Sequence, residues 1–185
     1  MSQQKAQDPW VEIAENVAKY HELMKPKARY DAGFACVGLH NPICMGNVGS
    51  VLRAAGCFGA AMVAMCRAEY KKASTDTNHQ YCKTPFLMVD DLHDIIPYSC
   101  VPVAVELLPG AKNILDYEHP RRAFYIFGGE QETLGKKVIS WCRDVIYIPT
   151  EYSLNLAACV NVVLFDRMMK QLKAANAGQN DGTRG

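Results

Sequence analysis

Six short apolar runs constrain the fold of this chain more than any other feature: FACVGL (34–39), AMVAMC (61–66), PFLMV (85–89), VPVAVEL (101–107), AFYIFG (123–128) and DVIYIP (144–149). Each is continuous rather than alternating in its apolar character, PFLMV least clearly, so each predicts a strand covered on both faces. Helical patterns at 48–58, 90–96, 132–142 and 153–173 fall between them. Strands of this kind spaced by helices predict an α/β fold, a parallel sheet inside a three-layer α/β/α arrangement. In open parallel sheets ligands bind beyond the carboxyl ends of the strands, which directs attention to LHNPICMGNVGS, FGGEQETLG and IPTEYSLN.

At 185 residues the chain has room for one such domain. The expected division is an N-terminal helical segment over 1–30, the α/β domain over 31–173, and a tail over 174–185. In the first part Trp10, Ile13, Ala14, Val17 and Tyr20 recur at three- and four-residue intervals before Pro26, which predicts an amphipathic helix. The tail, AANAGQNDGTRG, is small, polar and Gly-rich, and is expected to be disordered. No apolar run is long enough for a membrane helix, and the first residues lack a basic-then-apolar leader pattern, so a soluble, cytoplasmic protein is expected. The eight cysteines are scattered with no CxxC pair and no zinc-type spacing. Buried free thiols, with no metal, are therefore expected.

A net charge of +1 excludes strong binding of nucleic acid through bulk charge, but the charge is segregated. Residues 41–89 carry five Lys/Arg against two acids, whereas residues 90–120 carry one against six. Fields act locally, so a nearly neutral protein with this pattern can present a basic face to an anionic ligand.

The three strand-end segments hold most of the special turn chemistry. In NVGSVLRAAGCFG (47–59) Asn47 is placed to cap a helix whose bare first turn could receive an anion. Gly49, Arg53 and Gly56 share one helical stripe, so a backbone or a substrate can approach the arginine closely. In FYIFGGEQETLG (124–135) a strand runs into paired glycines and then Glu130, which is suited to a hydroxyl, a cation or the start of a helix. This is neither a Walker loop nor a GxGxxG fingerprint. In YIPTEYSLNLAACVNVVLFDRM (147–168) Ser153 fits a cap, and the helix after it is apolar almost all round. Asn155 and Asn161 would then be buried amides, either satisfied within a core helix or forming the floor of a site.

Taken in order, these blocks resemble the three motifs of the SpoU/TrmH group of RNA methyltransferases in the SPOUT superfamily. NVGSVLR with Phe58-Gly59 matches the first, IFGGE the second, and IPTEYSLNLAACVNVVLFD the third, the resemblance spanning residues 34–173. It implies an α/β fold whose C-terminal part is a deep trefoil knot, an S-adenosyl-L-methionine cofactor, a homodimer, and methyl transfer to a ribose 2′-hydroxyl of tRNA or rRNA. Carried over by position, it makes Asn47, Arg53, Glu130 and Asn155 catalytic and gives Gly128, Gly129, Ile148, Ser153 and Leu154 to the cofactor. Phosphate contacts would fall to Arg67, Lys71 and Lys72, with Lys25, Lys27 and Arg29 as a second set.

The pattern departs from the family in the third motif. Only three residues separate Ile148-Pro149 from Ser153, the family's common glycine there is absent, and Ala157 stands where a serine often does. A guanidinium does not deprotonate in proteins, so Arg53 is expected to bind the neighbouring phosphate and stabilise a developing alkoxide rather than act as a base. Two other readings stay open: a noncatalytic knotted RNA-binding or assembly factor, and a methyltransferase acting on a base.

Overall fold

The computed structural model describes residues 33–131 and 133–180. All six apolar runs form strands: β1 (Phe34–His40), β2 (Met62–Cys66), β3 (Phe86–Val89), β4 (Val101–Val105), β6 (Arg122–Gly128) and β7 (Asp144–Tyr147). A seventh, β5 (Lys112–Asn113), is too short to leave a periodic signal. Every pairing is parallel, in the order β3-β2-β1-β6-β4-β7-β5.

Strand side chains alternate between two faces, both covered in the middle of the sheet; the expectation that PFLMV is covered on both faces fails, since β3 is the edge strand and its Leu87 and Met88 are exposed. Val37, Leu39, Val63, Met65, Val103, Tyr125 and Phe127 pack under helices α1 (Met45–Phe58) and α3 (Leu156–Asn180). Cys36, Ala64, Ala104, Phe124 and Ile126 face the other way, toward Leu92 and toward Val138 of α2 (Gly135–Ile139). This is the expected α/β/α sandwich. The helical pattern at 90–96 condenses into a 3-10 turn, Leu92–Ile95, because Asp91 caps it at one end and Pro97 disfavours helical backbone at the other.

Several expectations need correction. The helix at the C-terminus runs to Asn180, well into the segment expected to be disordered from Ala174, since alanine is the best helix former and extends a helix already anchored by packing. Nor is α3 buried all round: Phe165 is 51% exposed and Asn161 also faces solvent, because in one chain the sheet covers only one side of the helix. Of the cysteines, Cys36, Cys66 and Cys100 are buried, but Cys44, Cys57 and Cys82 are exposed; Cys57 falls on the outward side of α1. The segment 1–30, with Lys25, Lys27 and Arg29, and the last five residues of the tail lie outside the described residues.

The middle of α3 is tied down by a partly buried polar network. Arg167, 5% exposed, donates to the carbonyls of Pro120 and Arg121, the latter at 2.7 Å, and Lys170 donates to the carbonyls of Ile114 and Tyr117. His119 lies between Tyr125 Oη at 2.6 Å from Nδ1 and Asp166 Oδ2 at 2.8 Å from Nε2, and Lys170 pairs with Asp166 at 2.7 Å. Burial holds the imidazole below its ordinary value despite Asp166, so the ring is neutral. A neutral ring beside a carboxylate donates through Nε2, and Nδ1 then accepts from the Tyr125 hydroxyl.

Because native His119 binds a proton more weakly than the unfolded chain does, its contribution to stability is complete above the unfolded value and is lost as pH falls below it. Urea unfolding is expected to show a stability drop from about pH 7.5 to about pH 5.5 that His119→Gln flattens. An equal slope in both proteins would contradict the neutral, buried assignment.

Candidate functional site

The strand-end rule places the site where the fold puts it. A cavity of about 680 Å³ opens at the carboxyl ends of the adjacent strands β6, β4 and β7. Its walls are Val105–Leu107 after β4, Phe127–Gln131 and Thr133 after β6, and the stretch after β7 that includes Ile148, Thr150–Leu156 and then Cys159. Gly128, Gly129, Glu130, Ile148, Ser153, Leu154 and Asn155, all singled out from sequence, line this one space.

Glu130 joins the cavity to the first motif. Its carboxylate accepts Ile43 N–H at 2.9 Å, Cys44 N–H at 3.3 Å and Asn47 Nδ2–H at 2.7 Å. Partial burial opposes ionisation, but these donors outweigh it and hold the carboxyl below its ordinary value. The anion expected at the start of α1 is therefore supplied from within the chain, by a glutamate 83 positions from Asn47. The approach is possible because residue 129 is glycine: a Cβ there would collide with the Asn41 carbonyl.

The cap assignments change accordingly. Cys44 is the N-cap of α1 and gives no side-chain bond, so Asn47 sits inside the first turn with its amide held by Glu130. At α3 it is Asn155, not Ser153, that caps, its Oδ1 accepting Ala158 N–H at 2.7 Å. Asn155 is exposed, and Asn161 donates to the Ala157 carbonyl, so neither is a buried amide awaiting a partner. The glycine stripe of α1 receives the chain's own β2–β3 loop: a Cβ on Gly49 would meet Thr75 and Ala73, and one on Gly56 would meet Gln80. Thr75 also donates to the Gly46 carbonyl at 2.6 Å.

Arg53 is exposed on α1 and does not line the cavity, and among the described residues no Lys or Arg does. Arg67, Lys71 and Lys72 are exposed on the β2–β3 loop, with Lys72 Nζ 5.8 Å from the centre of the Tyr81 ring. Sequence reasoning missed Glu106, Leu107 and Tyr152 as cavity residues. The rule that found the other segments applies equally to the end of VPVAVEL, where Glu106 accepts Leu134 N–H at 3.0 Å and so braces β4 against the start of α2. Among the described residues no group of three or more His, Cys, Asp or Glu is placed to hold a metal ion, and no helix is long and apolar enough to cross a membrane.

Comparison with known proteins follows the same outline. The model of the SpoU rRNA Methylase family matches residues 35–165. Among solved structures, the SpoU methyltransferase AviRb from Streptomyces viridochromogenes is similar with a TM-score of 0.70 at 20% identity, over 80% of this chain and 63% of that one. AviRb has also been solved in complex with AdoMet. The TrmH/SpoU tRNA modifying enzyme of A. aeolicus is similar at 0.68 and 17% identity, over 89% and 86%. A structure described as giving insight into 2-OH methylation of C/U34 on tRNA is similar at 0.65 and 18% identity, over 76% and 97%. These likenesses show the α/β/α fold of the trefoil-knot group, although the chain spans less than two thirds of the length of AviRb. The sequence matches no curated protein.

Glu130→Ala is expected to strip the start of α1 of its counter-charge and lower stability by about 1 kcal/mol, the usual worth of a helix cap. Chemical denaturation measures this directly. A change within a few tenths of a kcal/mol would mean that water replaces the carboxylate at no loss.

Proposed function

Since the chain belongs to the SpoU methylase family, we propose that it transfers a methyl group from S-adenosylmethionine to a ribose 2′-hydroxyl of a transfer or ribosomal RNA. The observation that carries this reading is the convergence of all three motifs on one place: the second and third line the cavity, and the first is bonded to it through Glu130.

The cavity suits the cofactor. Its volume falls within the usual range for small-molecule sites. Its walls combine apolar side chains, among them Phe127, Ile148, Leu154 and Leu156, with the carboxylates of Glu106, Glu130 and Glu151, a setting that favours a nucleoside bearing positive charge. When bound, S-adenosylmethionine supplies an electrophilic methyl group on a cationic sulfur. The AdoMet complex of AviRb supports the assignment.

The residues then divide the work. Glu130 is committed to Ile43, Cys44 and Asn47, so it positions Asn47 instead of accepting the substrate proton. The Oδ1 of Asn47 is left to accept from the ribose hydroxyl and orient it. Arg53 is the cation for the neighbouring phosphate and the developing alkoxide. Arg67, Lys71 and Lys72 continue the phosphate track on the same edge of the sheet, since β1 and β2 run parallel and end together.

Arg53 lies outside the cavity of its own chain, and a homodimer offers a way to bring it to a cavity. The uncovered face of α3 supports such an assembly: Phe165 stands half in solvent with Phe58 edge-on at 6.4 Å, and the partly exposed Ala158 and Val162 continue the apolar strip. Solution mass is expected near twice 20.5 kDa, with Phe165→Asp shifting it toward a single chain. A native monomer would remove this route for Arg53.

The activity is tested by incubating the protein with methyl-labelled S-adenosylmethionine and total small RNA, then digesting to nucleosides. A labelled 2′-O-methyl nucleoside is expected, reduced at least about a hundredfold by Arg53→Ala and only partly restored by Arg53→Lys, because a point charge does not reproduce a planar fork. Label on a base would replace the ribose assignment. Cofactor binding without transfer to any RNA would favour a binding factor.

A further inference from the structure

Two large apolar side chains stand in solvent at the same cavity: Tyr152, 79% exposed, on the loop leading into α3, and Leu107, 75% exposed, just beyond β4. Neither belongs to the packed core. They come from the ends of neighbouring strands, β7 and β4, so the two loops flank one mouth. The Tyr152 backbone is fixed: its carbonyl accepts the Thr150 hydroxyl at 2.8 Å, and Thr150 N–H donates to the Ile148 carbonyl at 2.9 Å. The backbone that carries the ring is thus held in a built turn, and the ring projects from it into solvent.

We infer that Tyr152 is a stacking platform for a nucleobase at the mouth of this cavity, with Leu107 as a second apolar contact. An aromatic ring that is unpacked, carried on a bonded turn and beside a polar, acid-lined space has the chemistry for a flat π-face, which it covers without needing a particular hydrogen-bond pattern. The inference rests on the methyltransferase reading and deepens it. Both substrates of that reaction carry bases, the adenine of the cofactor and the bases of the RNA, and the two arms of the test separate them.

In the first arm S-adenosylhomocysteine is titrated calorimetrically into the native protein and into Tyr152→Ala, Tyr152→Leu and Tyr152→Phe. In the second, bulk tRNA is titrated into the same proteins saturated with S-adenosylhomocysteine. Stacking on the cofactor predicts about tenfold weaker binding in the first arm for Ala and Leu, with Phe within about twofold of native. Stacking on an RNA base predicts the same pattern in the second arm alone. Tyr152 is exposed, so all three variants are expected to fold, and matching far-UV spectra and unfolding midpoints check this. Native affinity in both arms for Tyr152→Ala, or recovery by Leu as good as by Phe, would overturn the platform while leaving the methyltransferase reading intact. If the native protein binds neither probe, that reading fails and the platform with it.

Discussion

Everything at the functional edge of this molecule follows from one constraint: among the described residues all seven strands of the sheet run the same way. A parallel sheet needs both faces covered, so the chain returns over one face or the other after each strand, and all carboxyl ends gather on one edge. Loops at that edge have no ladder to complete and can spend their polar groups on a ligand. The central strand β6, paired with β1 on one side and β4 on the other, delivers its glycines and Glu130 to the middle of that edge. It is the position from which one side chain can reach both the cavity and the start of α1.

Glu130 shows how electrostatics and backbone geometry reinforce each other. The N–H groups leading into α1 want an anion, and Cys44 at the cap offers none. A carboxylate from β6 fills the need only because Gly129 lets the two backbones approach. Once filled, the start of α1 is no longer a phosphate site. Exposed cations stand instead on the outer side of α1, at Arg53, and on the β2–β3 loop that packs on the Gly49–Gly56 stripe, at Arg67, Lys71 and Lys72.

The central strands were legible because burial on both faces leaves a continuous apolar run, and the site's edge was legible because parallel strands end together. What escaped was set by contacts between distant segments. Asn47 and Ser153 look like caps by residue type, but a cap is defined by where the helix begins, and both helices begin elsewhere: α1 at Met45, α3 just after Asn155. His119 and Asp166 are 47 positions apart with no pattern linking them, and their bond exists only because α3 crosses the loop before β6. Tyr152 and Leu107 resemble ordinary loop residues until neighbouring strands bring them to one mouth.

The last helix serves both ends of the problem. Its first turn, capped by Asn155, closes the cavity wall, while Asp166, Arg167 and Lys170 bind the loops before β6. Between them the helix is a rigid bar, so the segment 148–155 is held by β7 at one end and by a locked helix at the other. A short loop fixed at both ends has fewer backbone arrangements, which lowers the entropy lost when a ligand orders it. The same helix leaves an apolar face uncovered, and among the described residues the cavity it helps close is lined by no Lys or Arg. A second chain laid on that face would bury Phe165 and offer a route for an arginine to reach the acid-lined cavity. Assembly and chemistry would then depend on one element, the helix that the His119 network holds in place.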